Sequence, residues 1–311
     1  MDTAYRYIVL LSILILSAFF IKATQQSSNI QNVNSKVEFN PKTTKNVSEN
    51  YEIKAVTMPK SLSFAKEPVP LNIQDVFERM DRELHVNTYW QSNTLIYAKR
   101  AHKYFPIIEK ILAENNVPND FKYLALIESG LMNVTSPAGA KGFWQIMKNT
   151  GRENGLEINK NVDERYNLEK ATKAACNYLN DAHDKFGSWT MAAASYNSGR
   201  SGIIKQMNKQ QVTNYYDLLL GEETSRYVFR IIAAKEILSH PKKYGFVFND
   251  TDLYNHKDTY QVAVDSIITN VASFAKHYGI NYKELKALNP WLRENVLNND
   301  SKKEYLITLP R

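Results

Sequence analysis

Cysteine is almost absent from this sequence of 311 residues, because Cys176 is the single one and no disulfide can form within the chain. Cys176 lies in an apolar helical stripe, which favours a small buried hydrophobic side chain over a reactive nucleophile. Histidine is also scarce, and the six histidines show no metal-ligand spacing. We therefore predict no metal site.

A concentrated basic tract is missing too, although the net charge of the chain is +7. Lys and Arg are spread along the sequence, and neither a zinc-finger spacing nor an aromatic RNA-binding signature occurs. These absences argue against a nucleic-acid partner. A dispersed positive charge suits a membrane surface or an acidic wall polymer better.

One long apolar run stands near the N-terminus, from Ile8 to Ile21, and Arg6 precedes it. Its length fits the core of a signal peptide better than a complete membrane span. Neither Ala18 nor Ala23 completes an A-x-A cleavage site, so an uncleaved membrane anchor is an alternative interpretation of this segment. Residues 1–23 are therefore predicted to be a signal peptide or a membrane anchor, and the rest of the chain is expected to be exported.

The remaining sequence falls into regions of different character. Residues 24–65 are rich in Ser, Asn, Gln, Thr and Lys, which predicts a flexible linker. Residues 66–246 show helical periodicity almost throughout, with Pro106 interrupting one stripe, and predict a mainly α domain. The clearest predicted helices run from Leu168 to Phe186, from Trp189 to Ser195 and from Thr224 to Leu238.

The pattern changes after Gly245. Residues 247–258 are predicted to be a second linker. Alternating residues from Tyr260 to Val264 predict a strand, and Tyr305–Leu309 predict another. Two short amphipathic helices lie between these strands, the first capped by Asn270. Residues 259–311 are therefore predicted to form a small β-α-α-β unit.

Glu128 is the most unusual polar residue of the helical region. It lies near the end of a predicted helix that Asn119 or Asp120 caps and that Gly130 follows. At helical spacing Glu128 shares an apolar face with Leu124. Burial and the negative end of the helix dipole would both oppose ionisation there, which suits a general acid. The alternative is a glutamate that simply reaches water.

Four motifs follow one another at compatible spacings. They are Glu128-Ser129, then Gly139-Ala140-Lys141-Gly142-Phe143-Trp144-Gln145-Ile146-Met147, then Ala194-Ser195-Tyr196-Asn197-Ser198-Gly199, and finally Glu223-Thr224-Ser225-Arg226-Tyr227-Val228. Together they resemble the family 1 lytic transglycosylases, bacterial enzymes with a goose-lysozyme-like α fold that cut peptidoglycan glycan strands. The β-α-α-β unit resembles a LysM module. The resemblance implies a mainly α, lysozyme-like catalytic domain followed by a small LysM-like module, located in the periplasm of the cell envelope.

The resemblance also implies a mechanism in which one carboxyl group acts twice. Glu128 would first protonate the bond between N-acetylmuramic acid and N-acetylglucosamine. As a carboxylate it would then take the proton from the muramic acid 6-hydroxyl, which attacks C1 and leaves a 1,6-anhydro end. An internal nucleophile gains from proximity. This chemistry calls for no metal or organic cofactor.

The same motifs supply the candidate site residues. Glu128 is the catalytic candidate, and the substrate-binding candidates are Ser129, Gln145, Tyr196, Asn197 and Tyr227. The resemblance implies that Tyr227 stands near the acid and orients it. Ordinary structural roles stay open, namely helix-end capping for Ser129, an exposed amide for Gln145, and packing for the two tyrosines.

Two positions depart from the family pattern. Phe143-Trp144 replaces the usual Leu-Met before Gln145, which bears on the shape of the cleft wall. In the LysM-like unit, Ile268-Thr269-Asn270 replaces the usual opening turn, close to where such modules contact their ligand. The fold of the unit is therefore better supported than its glycan binding.

Competing functions depend on other acidic residues and on Glu128 itself. Glu153, Glu157, Asp163 and Glu164 are predicted to form a solvated face. A muramidase-type hydrolase becomes plausible if one of them faces Glu128 across the cleft, because ordinary glycosidases use two carboxyl groups. An inactive peptidoglycan-binding scaffold is the other alternative, which the intact Glu128 disfavours.

Overall fold

The computed structural model describes residues 53–311. The signal peptide or anchor predicted for residues 1–23, and most of the linker predicted for 24–65, lie outside the described residues. Within 53–311, no helix combines the length and the apolar character needed to cross a membrane.

Helices form the larger part of the described chain, which confirms the predicted mainly α class. Two short strands, β1 (Ser63–Phe64) and β2 (Glu67–Pro68), pair antiparallel before them. The helices of this domain are α1 (Gln74–Tyr89), α2 (Gln91–Glu114), α3 (Lys122–Ser129), α4 (Lys148–Glu153), α5 (Leu168–Phe186), α6 (Trp189–Ser198), α7 (Arg200–Gln210) and α8 (Glu222–Ser239).

The helix boundaries follow from local signals. Asn167 caps α5 by accepting the Lys170 N–H, and Gly187 ends it with a positive φ of 66°. The predicted helix over 168–186 is confirmed. The break predicted at Pro106 is wrong, because α2 continues through this residue while buried residues such as Ile108 hold it against the core. The helix α7 was not predicted from sequence. Ile203 is the one residue of this helix that is buried, so α7 has no apolar stripe to indicate it.

The helix α8 lies at the centre of the domain, in contact with α1, α3 and α6. Ile231 and Ile232 in its middle are completely buried. The helix α3, which carries Glu128, is held between α2 and α8. The fold thus places the end of α3 beside the first turns of α8.

The predicted linker extends less far than residue 65. Phe64 is completely buried and meets the Phe121 ring edge-on at 5.0 Å. The prediction that Asn119 or Asp120 caps α3 is wrong, because Phe121 is the N-cap residue and no side chain caps the helix. Asp120 has another role. Its carboxylate instead accepts hydrogen bonds from the Ala65 N–H (2.7 Å) and from Lys235 Nζ (2.6 Å), which tie this segment to the domain.

The C-terminal region has the predicted β-α-α-β order. It consists of β3 (Thr259–Val264), α9 (Val271–His277), α10 (Tyr282–Leu288) and β4 (Tyr305–Pro310). The two strands pair antiparallel from Thr259↔Pro310 to Val264↔Tyr305. Asn270 caps α9 by accepting the Ser273 N–H, as its position predicts.

The two domains share a core. Val162 and Tyr166 of the helical domain belong to the apolar cluster of the C-terminal domain. Backbone hydrogen bonds cross the junction from Asp163 N–H to Trp291 O (2.9 Å) and from Arg293 N–H to Asn161 O (2.7 Å). Residues 54–311 therefore form one compact unit.

The segment predicted as the second linker, 247–258, is anchored to α2. The ring nitrogen Nδ1 of His102 lies 3.0 Å from the Tyr254 carbonyl oxygen. The rings of Tyr104 and His256 meet edge-on at 5.5 Å. These contacts fix the path of the chain between the two domains.

The solvated acidic face predicted from sequence is wrong for Asp163 and Glu164, which are both only 3% exposed. Asp163 pairs with the buried Arg165, and Glu164 pairs with Lys170. Pairing with a cation lets a carboxylate stay ionised away from water. Sequence spacing could not show these partners.

Glu157 is also part of the junction between the domains. Lys303 Nζ lies 2.5 Å from its carboxylate, and the Tyr305 hydroxyl donates to it at 2.9 Å. Burial opposes ionisation of Glu157, but these hydrogen bonds outweigh burial and lower its pKa. The carboxylate therefore serves the domain junction.

Candidate functional site

Glu128 lies one residue before the end of α3, where the backbone turns sharply. Gly130 takes the left-handed conformation at φ 61°, and its carbonyl accepts a hydrogen bond from the Arg100 guanidinium (3.0 Å). A Cβ at residue 130 would also meet the Tyr97 ring at 3.0 Å. The turn thus fixes where the glutamate side chain leaves the helix.

The Glu128 carboxyl group is mostly shielded from water and carries one direct side-chain hydrogen bond from Tyr227. The hydroxyl of Tyr227 donates to Oε1 across the gap between α8 and α3. Tyr227 itself is 2% exposed. Burial and the nearby Glu128 charge raise the pKa of Tyr227 well above its ordinary value, so the phenol keeps its proton and remains a donor.

The pKa of Glu128 is raised to about 7 from its ordinary value of 4.5. Burial is the main cause. The Tyr227 hydrogen bond and the Arg230 charge act in the opposite direction, while the Glu223 charge adds to the rise. The burial predicted for Glu128 is thus confirmed, and it favours a carboxyl group that holds its proton close to neutral pH.

Tyr196 lies close to this carboxyl group without a direct hydrogen bond to it among the described contacts. Its hydroxyl donates to the Trp144 carbonyl at 2.7 Å, and its ring meets Tyr178 edge-on at 5.3 Å. Burial and then the Glu128 charge raise its pKa well above the ordinary value. Tyr196 therefore braces the second motif near Glu128.

Asn197 connects α6 to the start of α8. Its amide Nδ2 donates to Glu223 Oε1 at 3.1 Å, and its Oδ1 accepts from the Thr224 hydroxyl at 2.7 Å. Glu223 is exposed, so this pair faces solvent at the edge of the site. The third and fourth motifs thus meet through side chains.

Gln145, Tyr196 and Asn197 line one hollow of about 380 Å³. Gln145 has a positive φ of 47°, and its Nε2 donates to the carbonyls of Gly142 (2.8 Å) and Val134 (3.1 Å). The side chain therefore stabilises its own strained loop while it lines the hollow. The structure brings three of the five binding candidates together here.

Ser129 is buried, at 7% exposure, and its hydroxyl serves the backbone. It donates to the Phe143 carbonyl at 2.7 Å, with the Ala125 carbonyl at 3.3 Å, and accepts the Met132 N–H at 3.3 Å. Because this hydroxyl is buried and bonded to the backbone, it is not free to contact substrate. The hydroxyl holds the second motif against the end of α3.

Arg165 is a supporting residue that the sequence did not reveal. Its guanidinium is 3% exposed and binds both Asp163 oxygens, at 2.9 and 2.8 Å. It also donates to the carbonyls of Gly139 and Ile146, each at 3.2 Å. Because these carbonyls flank Gln145, Arg165 fixes the loop that carries it. The Arg165 carbonyl would lie 1.9 Å from a Cβ at Gly142, which explains this glycine.

Arg230 and Glu223 were also missed as neighbours of Glu128. Both belong to α8, at three positions after and four positions before Tyr227, so helical spacing puts all three on one side. That spacing was the available signal. Arg230 and Glu223 line a hollow of about 290 Å³ with Glu222 and Arg226.

Other reactive groups play no part in this arrangement. Burial raises the pKa of Cys176 to about 12, so its thiol stays protonated and unreactive near neutrality. Among residues 53–311, no three His, Cys, Asp or Glu side chains are grouped so that they could hold a metal ion.

Comparison with known proteins identifies two family matches in the chain. Residues 105–219 match the family described as "Transglycosylase SLT domain", and residues 260–311 match "Soluble lytic transglycosylase C-terminal LysM-like domain". The first match includes Glu128, Gln145 and Asn197.

Two relatives are both named "Membrane-bound lytic murein transglycosylase D", from Escherichia coli strain K12 and from E. coli O6:H1. The chain is 30% identical to each over 226 residues, which is 71% of this chain and 48% of the relative. The chain therefore spans about half the length of these curated relatives. The helical domain therefore contains a transglycosylase SLT domain, and a LysM-like domain follows it.

Proposed function

We propose that the protein is a peptidoglycan lytic transglycosylase that cleaves the β-1,4 bond between N-acetylmuramic acid and N-acetylglucosamine and forms 1,6-anhydro ends. The observation that carries the proposal is Glu128, a carboxyl group with a pKa of about 7 held by the Tyr227 hydroxyl inside an SLT domain. The names of the relatives support the same substrate.

Glu128 acts as acid and then as base. The protonated carboxyl group gives its proton to the glycosidic oxygen as the bond to C1 breaks. The carboxylate that remains accepts the proton of the 6-hydroxyl while the oxygen of that hydroxyl bonds to C1. Glu128 regains its proton, and no water is consumed. A pKa near 7 suits both steps, because neither protonation state is strongly disfavoured.

The other candidates divide into three roles. Tyr227 orients the carboxyl group and stabilises its ionised form. Gln145, through its amide oxygen, and Asn197 offer hydrogen-bonding groups to sugar hydroxyls and N-acetyl groups, with Tyr196 forming the wall between them. Ser129 holds the loop of Gln145 in place.

Digestion of purified peptidoglycan tests the proposal. The intact protein should release fragments with anhydro-muramyl ends, one water lighter than hydrolysed ends. Glu128→Gln should slow release by roughly 10²–10⁴-fold, the usual contribution of general acid–base catalysis. Glu153→Gln, at an exposed glutamate, is the matched control and should cut normally. Release of anhydro ends by the Glu128→Gln protein at the rate of the intact protein would contradict the assigned role.

A muramidase-type hydrolase is the second candidate, and Glu223 is the observation that favours it. Its charge acts on Glu128, so a second carboxyl group stands near the proposed acid. The hydrolase would leave ordinary reducing ends, and Glu223→Gln would abolish them. Under the proposed function Glu223→Gln still yields anhydro ends.

An inactive peptidoglycan-binding scaffold is the third candidate, favoured by the LysM-like domain. If neither the intact protein nor Glu128→Gln cuts, while both sediment with peptidoglycan, the scaffold replaces the enzyme.

We also propose that the chain is exported to the periplasm, with residues 1–23 as a signal peptide or a membrane anchor. The relatives' name is consistent with a location in the envelope. Fractionation of cells, with and without residues 1–23, distinguishes an anchored chain from a cleaved one. Recovery of the full-length chain in the cytoplasm would contradict export.

A further inference from the structure

A groove of about 430 Å³ lies between the helical domain and the C-terminal domain. One wall comes from α2 and the start of α5, and the other from β3, β4 and the end of α10. Neither Glu128 nor any of the sequence-predicted binding candidates lines it. The groove is therefore separate from the candidate active site.

The C-terminal wall is the outer face of the two-stranded sheet. The register pairs Gln261 with Thr308 and Ala263 with Leu306, so these side chains share one face. The opposite face carries the fully buried Ile307 and packs against the helices of its own domain. Leu306 is 48% exposed, which shows that its domain leaves the outer face uncovered.

The wall from the helical domain supplies a flat aromatic surface. The Tyr104 ring is partly exposed and meets Phe143 edge-on at 4.8 Å and His256 edge-on at 5.5 Å. Ile107, one turn further along α2, extends the apolar area. These contacts, with Lys103 Nζ 5.2 Å from the ring centroid, hold the Tyr104 ring in one orientation, so it is pre-organised to contact a ligand.

The charges of the groove balance one another. Two cations, Lys103 and Lys170, face two anions, Glu169 and Glu304. A site for a polyanion would show an excess of cations, so the lining disfavours one. Amide and hydroxyl side chains such as Gln261 stand between the apolar patches. This combination fits an uncharged ligand with apolar faces and many hydroxyl and amide groups, which is the chemistry of an N-acetylated saccharide chain.

The groove adjoins the candidate active site through one loop. Phe143 lines the groove, and Gln145, two residues later, lines the hollow that Tyr196 and Asn197 share. Two residues span at most about 7 Å of chain. A saccharide bound in the groove is therefore in contact with the same loop that carries Gln145.

From this combination we infer that the interdomain groove is a second, non-catalytic binding site for the N-acetylated glycan strand. The inference rests on the proposed function for the nature of the ligand, and it adds a site to it. The groove would hold a strand against the protein independently of cleavage at Glu128.

The test uses the full chain with Glu128→Gln, so that no ligand is cut, and methyl NMR with a soluble β-1,4-linked N-acetylglucosamine oligosaccharide. Saturable shifts of the Leu306 and Ile107 methyl signals are expected. Leu306→Asp and Gln261→Arg, placed on neighbouring strands, should each weaken the binding seen at Ile107 by about tenfold. Two separate variants guard against one of them failing to fold.

Tyr282→Asp is the matched control, because Tyr282 is 41% exposed at the start of α10 and lies outside the groove. It should leave the Ile107 shifts unchanged. Shifts confined to Ile267, which lies outside the groove, or to residues around Gln145, would overturn the inference. So would saturation of the Leu306 signals by free stem peptides and not by the oligosaccharide, which would make the groove a peptide site.

The outcome is independent of the cleavage test. Absence of anhydro ends with the intact protein would refute the proposed function, while oligosaccharide shifts at Leu306 would still establish the groove. Conversely, normal cleavage without shifts at Leu306 refutes the groove alone.

Discussion

The Tyr227 hydroxyl donates a hydrogen bond to the Glu128 carboxyl group, although 99 positions separate the two residues in the chain. The contact joins the end of α3 to the second turn of α8. Burial alone would push the pKa of Glu128 still higher, and the phenol moderates that rise. The pair therefore sets the protonation of the proposed catalytic acid.

Replacing Tyr227 with Phe should raise the pKa of Glu128, because the hydrogen bond that favours its ionised form is lost. The fall in activity with rising pH should then occur at a higher pH than in the intact protein. Activity at neutral pH should drop roughly 10- to 100-fold, in line with about 1.5–3 kcal/mol for a hydrogen bond to a charged group. A pH profile of kcat/KM measures both effects.

Tyr123→Phe is the matched control for this change. Tyr123 lies on the same helix as Glu128, but its hydroxyl is paired with the Ser239 hydroxyl at 3.2 Å. It should leave the pH profile unchanged. An identical profile for Tyr227→Phe and the intact protein would show that the phenol does not act on Glu128.

Stability should depend on pH through Glu128. Its pKa rises from 4.5 to about 7 on folding, so its favourable contribution is complete below pH 4.5 and is lost as pH rises through 7. Glu128→Gln cannot ionise and avoids that loss. The difference in Tm between the variant and the intact protein should therefore increase in favour of the variant between pH 4.5 and 7, and stay constant at higher pH. Glu153→Gln, at the surface, should show no such gain.

Arg165→Met should destabilise the protein by about 3–5 kcal/mol, because it leaves the buried Asp163 charge with only the more distant Lys141, at 3.8 Å. It should also loosen the loop of Gln145, raising KM more than it lowers kcat. Denaturant unfolding and steady-state kinetics measure the two effects. Adding Asp163→Asn should restore part of the stability without restoring KM. Unchanged stability in Arg165→Met would contradict the supporting role.

The two domains should unfold together, because Val162 of the helical domain is 1% exposed inside the core of the C-terminal domain. Val162→Ala should cost about 2 kcal/mol. Near-ultraviolet circular dichroism should show a single transition in both proteins. Val247→Ala, at a valine that is 68% exposed, should have little effect. Separate transitions for the two domains would contradict the shared core.

Much of the site could be predicted from sequence because its parts are local motifs. The position of Glu128 on an apolar face was visible in helical periodicity, and the motif order linked it to Tyr227 and Asn197. The role of Ser129 was not visible, because its hydroxyl bonds to the backbone of Phe143, and backbone partners leave no trace in side-chain patterns.

The fold was predictable where capping residues and apolar stripes coincide, as in α5. The domain junction was not. Asp163 and Glu164 have the polarity of surface residues, and only the approach of Arg165, Lys170 and the C-terminal domain buries them. Pairings of this kind depend on tertiary structure rather than on periodicity.

The most direct test of the central claim is the titration of Glu128 itself. Carbon-13 NMR of the side-chain carboxyl group, assigned by its loss in Glu128→Gln, gives the pKa without reference to turnover. We expect a value of about 7, well above the ordinary 4.5. A titration near 4.5 would mean that Glu128 is ionised at neutral pH, and the account of a single carboxyl group acting first as acid would be wrong.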